Sequence, residues 1–389
     1  MALPALSLRS HGSALVFAAA TVLLVVWALL RQYQTDLQLH LWLLGAHLEV
    51  GSFPVPPLYY AAVHAVSLLL PVGGAPFAAA LVLGAAAYWK FQLLRSPLDD
   101  ALGNKGHAAG AAVWCLLIAG PIVIRGLNAQ WYLGTLSTAV LTNSTTLLVL
   151  PFCLWLHFLS LRYVHAGGVR HLWLMFLVGT LVLLTKPSYL FAQLPVLPLF
   201  ALMERRSLDR RVLGIGAYVL GMGVLLAVLY KKVYSSGELD AIWYGGVASH
   251  VTMAPFKVWL LWTRTPFLKA FLSVVFVIAF VVHDPGAWKR SAALRFAGAL
   301  FVVALLIFVL MAETGRRETH GNFYWQVPIT LLILHFTMVH ELALQGWPPL
   351  RGRFAGLSVK DRILLLAATA HVLCGAAYIA RFILTGIYV

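Results

Sequence analysis

Apolar residues run along this chain in blocks of about 17 to 25, long enough for each to cross a hydrocarbon core of roughly 30 Å as a helix, with no soluble domain between them. Spans are predicted at 13–30, 74–94, 108–124, 144–161, 171–185, 187–203, 212–230, 268–282, 294–312, 327–342 and 363–385. The segment 57–72, PLYYAAVHAVSLLLPV, breaks the series because it is short and interrupted by His64. Placing it on the surface as an amphipathic juxtamembrane helix keeps the clusters Arg162/Arg170, Arg205/Arg206/Arg210/Arg211, Lys289/Arg290/Arg295 and Arg351/Arg353/Lys360/Arg362 on one side. The pattern therefore predicts one all-α, polytopic integral-membrane domain over 1–389, with eleven crossings and a cytoplasmic N-terminus.

Composition agrees with that reading: 61% of residues are hydrophobic and only 11% charged. The run 14–30 follows Arg9 as a signal peptide would, but it is long enough to span and no small-residue cleavage site follows it, so it is expected to remain as the first helix. Cys115, Cys153 and Cys374 all fall in apolar runs, which suggests neither a disulfide framework nor a metal site. A net charge of +15 would ordinarily raise nucleic acid as a partner, yet in a membrane chain basic residues mark cytoplasmic loops, and no nucleic acid is expected.

The predicted topology gathers the unusual polar residues on the outer face, in the loops 31–73, 125–143, 231–267 and 313–326 and at the Lys186 tip of a helical hairpin. Positive charge is normally depleted on that side, so its presence calls for an anionic ligand. In TDLQLHLWLLGAHLE, 35–49, Asp36, His40 and His47 fall on one helical face just beyond the first span. A carboxylate there suits a general base acting on an acceptor hydroxyl. In AETGRRETHGNFYWQ, 312–326, Arg316, Arg317, His320 and Asn322 can cradle a phosphate, with Gly321 admitting backbone N–H groups; the alternative is a loop in which Glu313 and Glu318 pair the arginines. Lys231, Lys232 and Arg264 suit either a phosphate or anionic headgroups of membrane lipids. The pairs Trp131-Tyr132, Trp243-Tyr244 and Tyr324-Trp325 fit an aromatic belt or stacking on sugar rings. The sequon Asn143-Ser144-Thr145 reads as incidental.

An Asp just after the first span, the PVPPLYY segment 54–60 opening a helix that does not cross, KPSY at 186–189 and TNSTTLLVLPF at 142–152 together resemble the multi-pass GT-C glycosyltransferases. That resemblance covers the first 200 residues best. It implies Asp36 as catalytic base, basic residues of the later outer loops as ligands of a polyprenyl-phosphate sugar, and transfer with inversion to a glycan, lipid or protein acceptor. It places His40, Glu49, Tyr59, Tyr60, Arg125, Asn143, Lys186, Lys231, Arg264, Arg316, Arg317, His320 and Asn322 among the substrate-binding residues. Neither a cofactor nor a metal is implied. The Ala/Leu/Gly/Arg-rich composition suits a bacterial plasma membrane, with the site facing outwards. Two other readings handle similar substrates: a flippase of lipid-linked saccharide, which would bind near the midplane, and an O-antigen ligase or polymerase, which would use the loop at 316–320.

Overall fold

A computed structural model of the protein describes residues 11–33, 35–70, 74–118, 120–124, 134–136, 143–235 and 249–386. In chain order its elements are α1 (His11–Leu30), α2 (Asp36–Glu49), α3 (Leu58–Leu68), α4 (Gly74–Leu102), α5 (Lys105–Ile118), α6 (Ser144–Ala166), α7 (Val169–Thr185), α8 (Ser188–Arg205) and α9 (Arg210–Ser235). Then come β1 (Val251–Met253), α10 (Lys257–Trp262), α11 (Pro266–Ser273), α12 (Val275–His283), α13 (Ala287–Arg290), α14 (Ala292–Leu310), β2 (Met311–Glu313), a 3₁₀ turn (Gly315–His320), α15 (Gln326–Leu344) and α16 (Val359–Thr385).

Seven of these helices are long and apolar enough to cross a bilayer: α1, α4, α6, α9, α14, α15 and α16. An eighth span forms if α11 and α12, bent by 51° about Val274, are taken as one. The other three expected spans correspond to α5, α7 and α8, of 14, 17 and 18 residues, the last carrying Pro195 and Pro198 inside it. The 11-residue α3 is about half the length that a spanning helix needs. It packs beside α4 with Tyr59, Tyr60 and Val63 buried.

Local chemistry sets the helix ends. Asn143 caps α6 by accepting from Thr146 N at 2.9 Å, and Gly167 (φ 70°) and Gly168 (φ 97°) make the turn into α7, a left-handed path that side chains disfavour. Close helix contacts rest on missing side chains. A Cβ at Gly84 of α4 would lie 2.4 Å from Val22 Cγ2 of α1, and one at Gly120 would lie 2.4 Å from Gly375 Cα of α16. Buried polar groups tie helices together where the membrane offers no water. Gln193 of α8 donates to Ser160 of α6 at 2.9 Å and accepts from Tyr218 of α9 at 3.0 Å.

Two ends result. At one, Asn143 before α6 meets Asp36 after α1 and Lys186 after α7, while Trp27 and Tyr33 reach Ile383 O near the end of α16 at 3.1 and 2.8 Å. The antiparallel pair β1–β2 lies here too, Thr252 opposite Ala312. At the other end, Arg295 pairs with Glu204 at 2.7 Å and His283 with Asp361 at 2.9 Å. The basic clusters that the charge pattern assigns to a single side thus share the end opposite Asp36.

Candidate functional site

A cavity of about 810 Å³ opens at the Asp36 end. Its polar rim comes from chain segments far apart in sequence: Asp36 and His40 of α2, Tyr60 of α3, Asn143, Lys186, and Arg317, His320 and Asn322 from the turn before α15. Its apolar flank is made by Phe191 of α8 and by Gly223, Leu226 and Leu229 of α9.

Asn143 organises the rim. Its Oδ1 accepts from Lys186 Nζ at 2.9 Å, Thr145 Oγ1 at 3.0 Å, Thr146 N at 2.9 Å and Thr146 Oγ1 at 2.7 Å. Its Nδ2 donates to Asp36 Oδ2 at 2.9 Å. Turning the amide over would set Nδ2 against an ammonium and a backbone N–H, and Oδ1 against a carboxylate, so chemistry fixes its orientation. The acid and the cation are therefore joined through a neutral amide. The sequon asparagine is buried and committed to these contacts, which agrees with reading the sequon as incidental.

Lys186 also bonds Thr145 Oγ1 at 3.3 Å and lies 4.2 Å from the centre of the Trp325 ring. Desolvation of its ammonium pushes its pKa down to about 7, with the Asp36 charge opposing the shift. The residue keeps part of its surface open to the cavity, so its protonation responds to whatever fills that space. His40 pairs with the Tyr60 hydroxyl at 2.6 Å, and burial together with the Lys186 charge pushes its pKa down to about 3, leaving a neutral imidazole. His320 stands at the exposed rim, where desolvation and the Arg317 charge lower its pKa against the pull of Asp36.

The far wall is held by a buried carboxylate. Glu313, 2% exposed at the end of β2, accepts from the Tyr234 hydroxyl and from Asn322 Nδ2, the latter at 2.6 Å. The Arg317 guanidinium lies 5.1 Å from the centre of the Tyr234 ring and donates to Val233 O at 3.4 Å. Glu318 pairs with Lys257 at 2.7 Å. Gly321 has a steric role that the sequence did not suggest: at φ 57°, its missing Cβ would sit 2.0 Å from the Trp262 ring, another part of the cavity wall.

The expected base Asp36 and, of the residues expected to bind substrate, His40, Tyr60, Asn143, Lys186, Arg317, His320 and Asn322 converge on this cavity. Tyr59 lies behind it in the core, its ring centre 5.8 Å from that of His40, and burial raises its hydroxyl to about 12. Glu49 is exposed at the far end of α2, about 20 Å along the helix from Asp36 at 1.5 Å per residue, and does not line the cavity. Lys231 and Arg264 are exposed residues outside the lining as well. Arg125 lies outside the described residues, as do the pairs Trp131-Tyr132 and Trp243-Tyr244, and of Arg316 only the backbone is described. Tyr230, Tyr234 and Trp262 join the wall although charge and motif did not single them out; the tyrosine spacing i, i+4 at the end of α9 was the available signal.

Compared with known proteins, the chain matches no family model and no curated protein. Among the described residues no three or more His, Cys, Asp or Glu gather as a metal site would require.

Proposed function

We propose that the protein is a GT-C-type membrane glycosyltransferase that takes a sugar from a polyprenyl-phosphate donor at the outer face of a bacterial plasma membrane and passes it to a hydroxyl of a glycan, lipid or protein. The observation that carries this reading is the sharing of one cavity by a carboxylate, Asp36, and the cations Lys186 and Arg317, with an apolar flank along α8 and α9. A donor with a charged phosphate and a hydrocarbon tail needs both surfaces.

In the reaction the acceptor oxygen attacks the anomeric carbon, Asp36 takes the hydroxyl proton, and the bond from that carbon to the phosphate oxygen breaks with its electron pair leaving on the phosphate. Attack from the face opposite the phosphate inverts the centre. Lys186 and Arg317 stabilise the charge that develops on the leaving group, a role in which preorganised cations contribute most. Asn143 keeps Asp36 and Lys186 from collapsing into a direct ion pair, so the base stays available.

The test is transfer from a synthetic polyprenyl-phosphate sugar by purified wild type and Asp36→Asn, with donor binding followed in parallel. Transfer is expected to fall by roughly 10² to 10⁴-fold, the range of a lost general base, while binding persists. Full turnover in the variant removes Asp36 from the mechanism.

A further inference from the structure

A second cavity, of about 400 Å³, lies at the end opposite Asp36, between α5, the turn Pro348–Arg351 and α16. Its floor is a stripe on α5. Gly106, Gly110 and Trp114 recur at intervals of four and so share one helical face. A Cβ at Gly110 would meet nothing within 4 Å and one at Gly106 would meet Asn104 Oδ1 at 3.3 Å, so the stripe is a trough open at Gly110 and bounded at one end by Trp114, whose ring stacks on Trp347 at 5.9 Å. The facing wall is Leu365 and Thr369 of α16, with Phe354, 61% exposed, at the mouth.

The trough continues an apolar surface. On α16, Ile363, Leu366 and Leu373 are exposed, as a helix bordering lipid requires. The exposed basic residues Lys105, Arg351 and Arg353 directly adjoin the lining residues Gly106, Leu350, Gly352 and Phe354 in the chain. The neighbouring acids are mostly engaged: Asp361 accepts from Ser358, His283 and Trp347, and Asp99 pairs with Arg95 and also feels the Lys105 charge, leaving Asp100 exposed on α4. A narrow apolar slot open to the bilayer, with surplus positive charge at its headgroup end, matches one kind of molecule.

We propose that this trough binds an anionic glycerophospholipid of the surrounding bilayer, one acyl chain lying over Gly106 and Gly110 and its phosphate among Lys105, Arg351 and Arg353. The site is separate from the Asp36 cavity and does not depend on the reaction assigned there. Positive charge alone would attract anionic lipid diffusely; the slot makes the contact specific to one chain position.

The experiment uses delipidated full-length protein in detergent, titrated with phosphatidylglycerol or phosphatidylcholine carrying the same brominated acyl chains. Quenching of tryptophan fluorescence is compared between wild type and Trp114→Phe, which isolates the Trp114 signal, and lipid retention is followed by native mass spectrometry. Wild type should retain phosphatidylglycerol about tenfold better than phosphatidylcholine, given roughly tenfold or less per basic residue near a headgroup. That preference should vanish in the triple variant Lys105→Gln/Arg351→Gln/Arg353→Gln, and Gly110→Leu should abolish the Trp114 quenching by filling the trough. Equal retention of the two lipids, an undiminished preference in the triple variant, or pairing of two copies through this face without lipid would overturn the proposal. Should Gly110→Leu fail to fold, the triple variant, which alters only exposed side chains, decides.

Discussion

Asn143 donates to Asp36 at 2.9 Å through an amide whose other end is held by the Lys186 ammonium at the same distance, so one neutral side chain sets both the acid and the cation of the cavity. Replacing it by Asp would put a second carboxylate where Nδ2 now lies. Asn143→Asp can still cap α6, since Asp serves at that position as well as Asn. The expected result is a thermal midpoint close to wild type and transfer reduced by about 10²-fold, as like charges disfavour ionised Asp36 and draw Lys186 away. Asn143→Ala should instead lose about 1 kcal/mol of stability through the missing cap. Transfer and thermal unfolding of the two variants, measured side by side, distinguish the roles.

Lys186 gives the reaction a pH dependence whose sign follows from its surroundings. Its pKa in the folded protein is about 7, below the ordinary lysine value, so the ammonium is present below pH 7 and lost as pH rises through that value. Donor affinity should weaken above about pH 7, and binding at pH 8 should take up a proton, because the phosphate favours the charged lysine. Calorimetry in buffers of different ionisation enthalpy reads the uptake directly. Lys186→Arg stays charged throughout and should flatten the profile. Stability moves the other way: the unfolded chain holds this proton up to about pH 10.4, so the charged-state burial penalty is relieved and stability gained between about pH 7 and 10.

The Glu313 network predicts a different pattern. Arg317→Gln removes a cation from the cavity and should raise donor KM, lower kcat, or both, to an overall loss of about 10²-fold. Glu313→Ala leaves the Tyr234 hydroxyl and the Asn322 amide without their acceptor and should cost about 1–3 kcal/mol of stability. Glu313→Gln keeps the shape, so its effect should fall mainly on KM as the wall carrying Arg317 relaxes. Denaturation curves together with Michaelis analysis of the three variants check this.

Topology is open to direct labelling. Ser52 precedes α3, Ala75 follows it at the start of α4, and Ala355 lies between α15 and α16 at the opposite end. Cysteines introduced at 52 and 75 in a background lacking Cys115, Cys153 and Cys374 should react with an impermeant thiol reagent from outside whole cells. Cysteine at 355 should react only after permeabilisation. Protection of 75 alongside 355 would mean that α3 crosses and would relocate the cavity.

Much of the site was legible because a polar residue in an apolar chain is costly and so stands out. Asp36, Asn143, Lys186 and Arg317 lie 281 positions apart at the extremes, yet a consistent charge topology puts all four at one end. Depth and direction were not legible. Tyr59 and Tyr60 are adjacent, and a helix turns about 100° between them, so one lines the cavity while the other enters the core; only packing against α4 decides which. Glu49 shares a helix with Asp36 but is carried beyond reach by the helical rise. Glu313 reads as a loop acid in sequence, and its burial depends on Tyr234, a residue 79 positions earlier. The expected span 108–124 overshoots α5, which stops at Ile118, because apolar composition alone does not register where a helix ends.

The flank of the cavity formed by α9 has two faces with different owners. Within the most apolar 18 residues of α9 only 22% are buried in the protein, against 83% for the matching stretch of the central α15, so most of the surface of α9 is left to the bilayer while Gly223, Leu226 and Leu229 face the cavity. A helix set by lipid on one side adjusts its tilt to the thickness of the hydrocarbon layer, at fractions of a kcal/mol per Å of mismatch. The width of the cavity is then partly a property of the host membrane. Acyl-chain length becomes a variable that tunes the pocket without touching a residue that lines it.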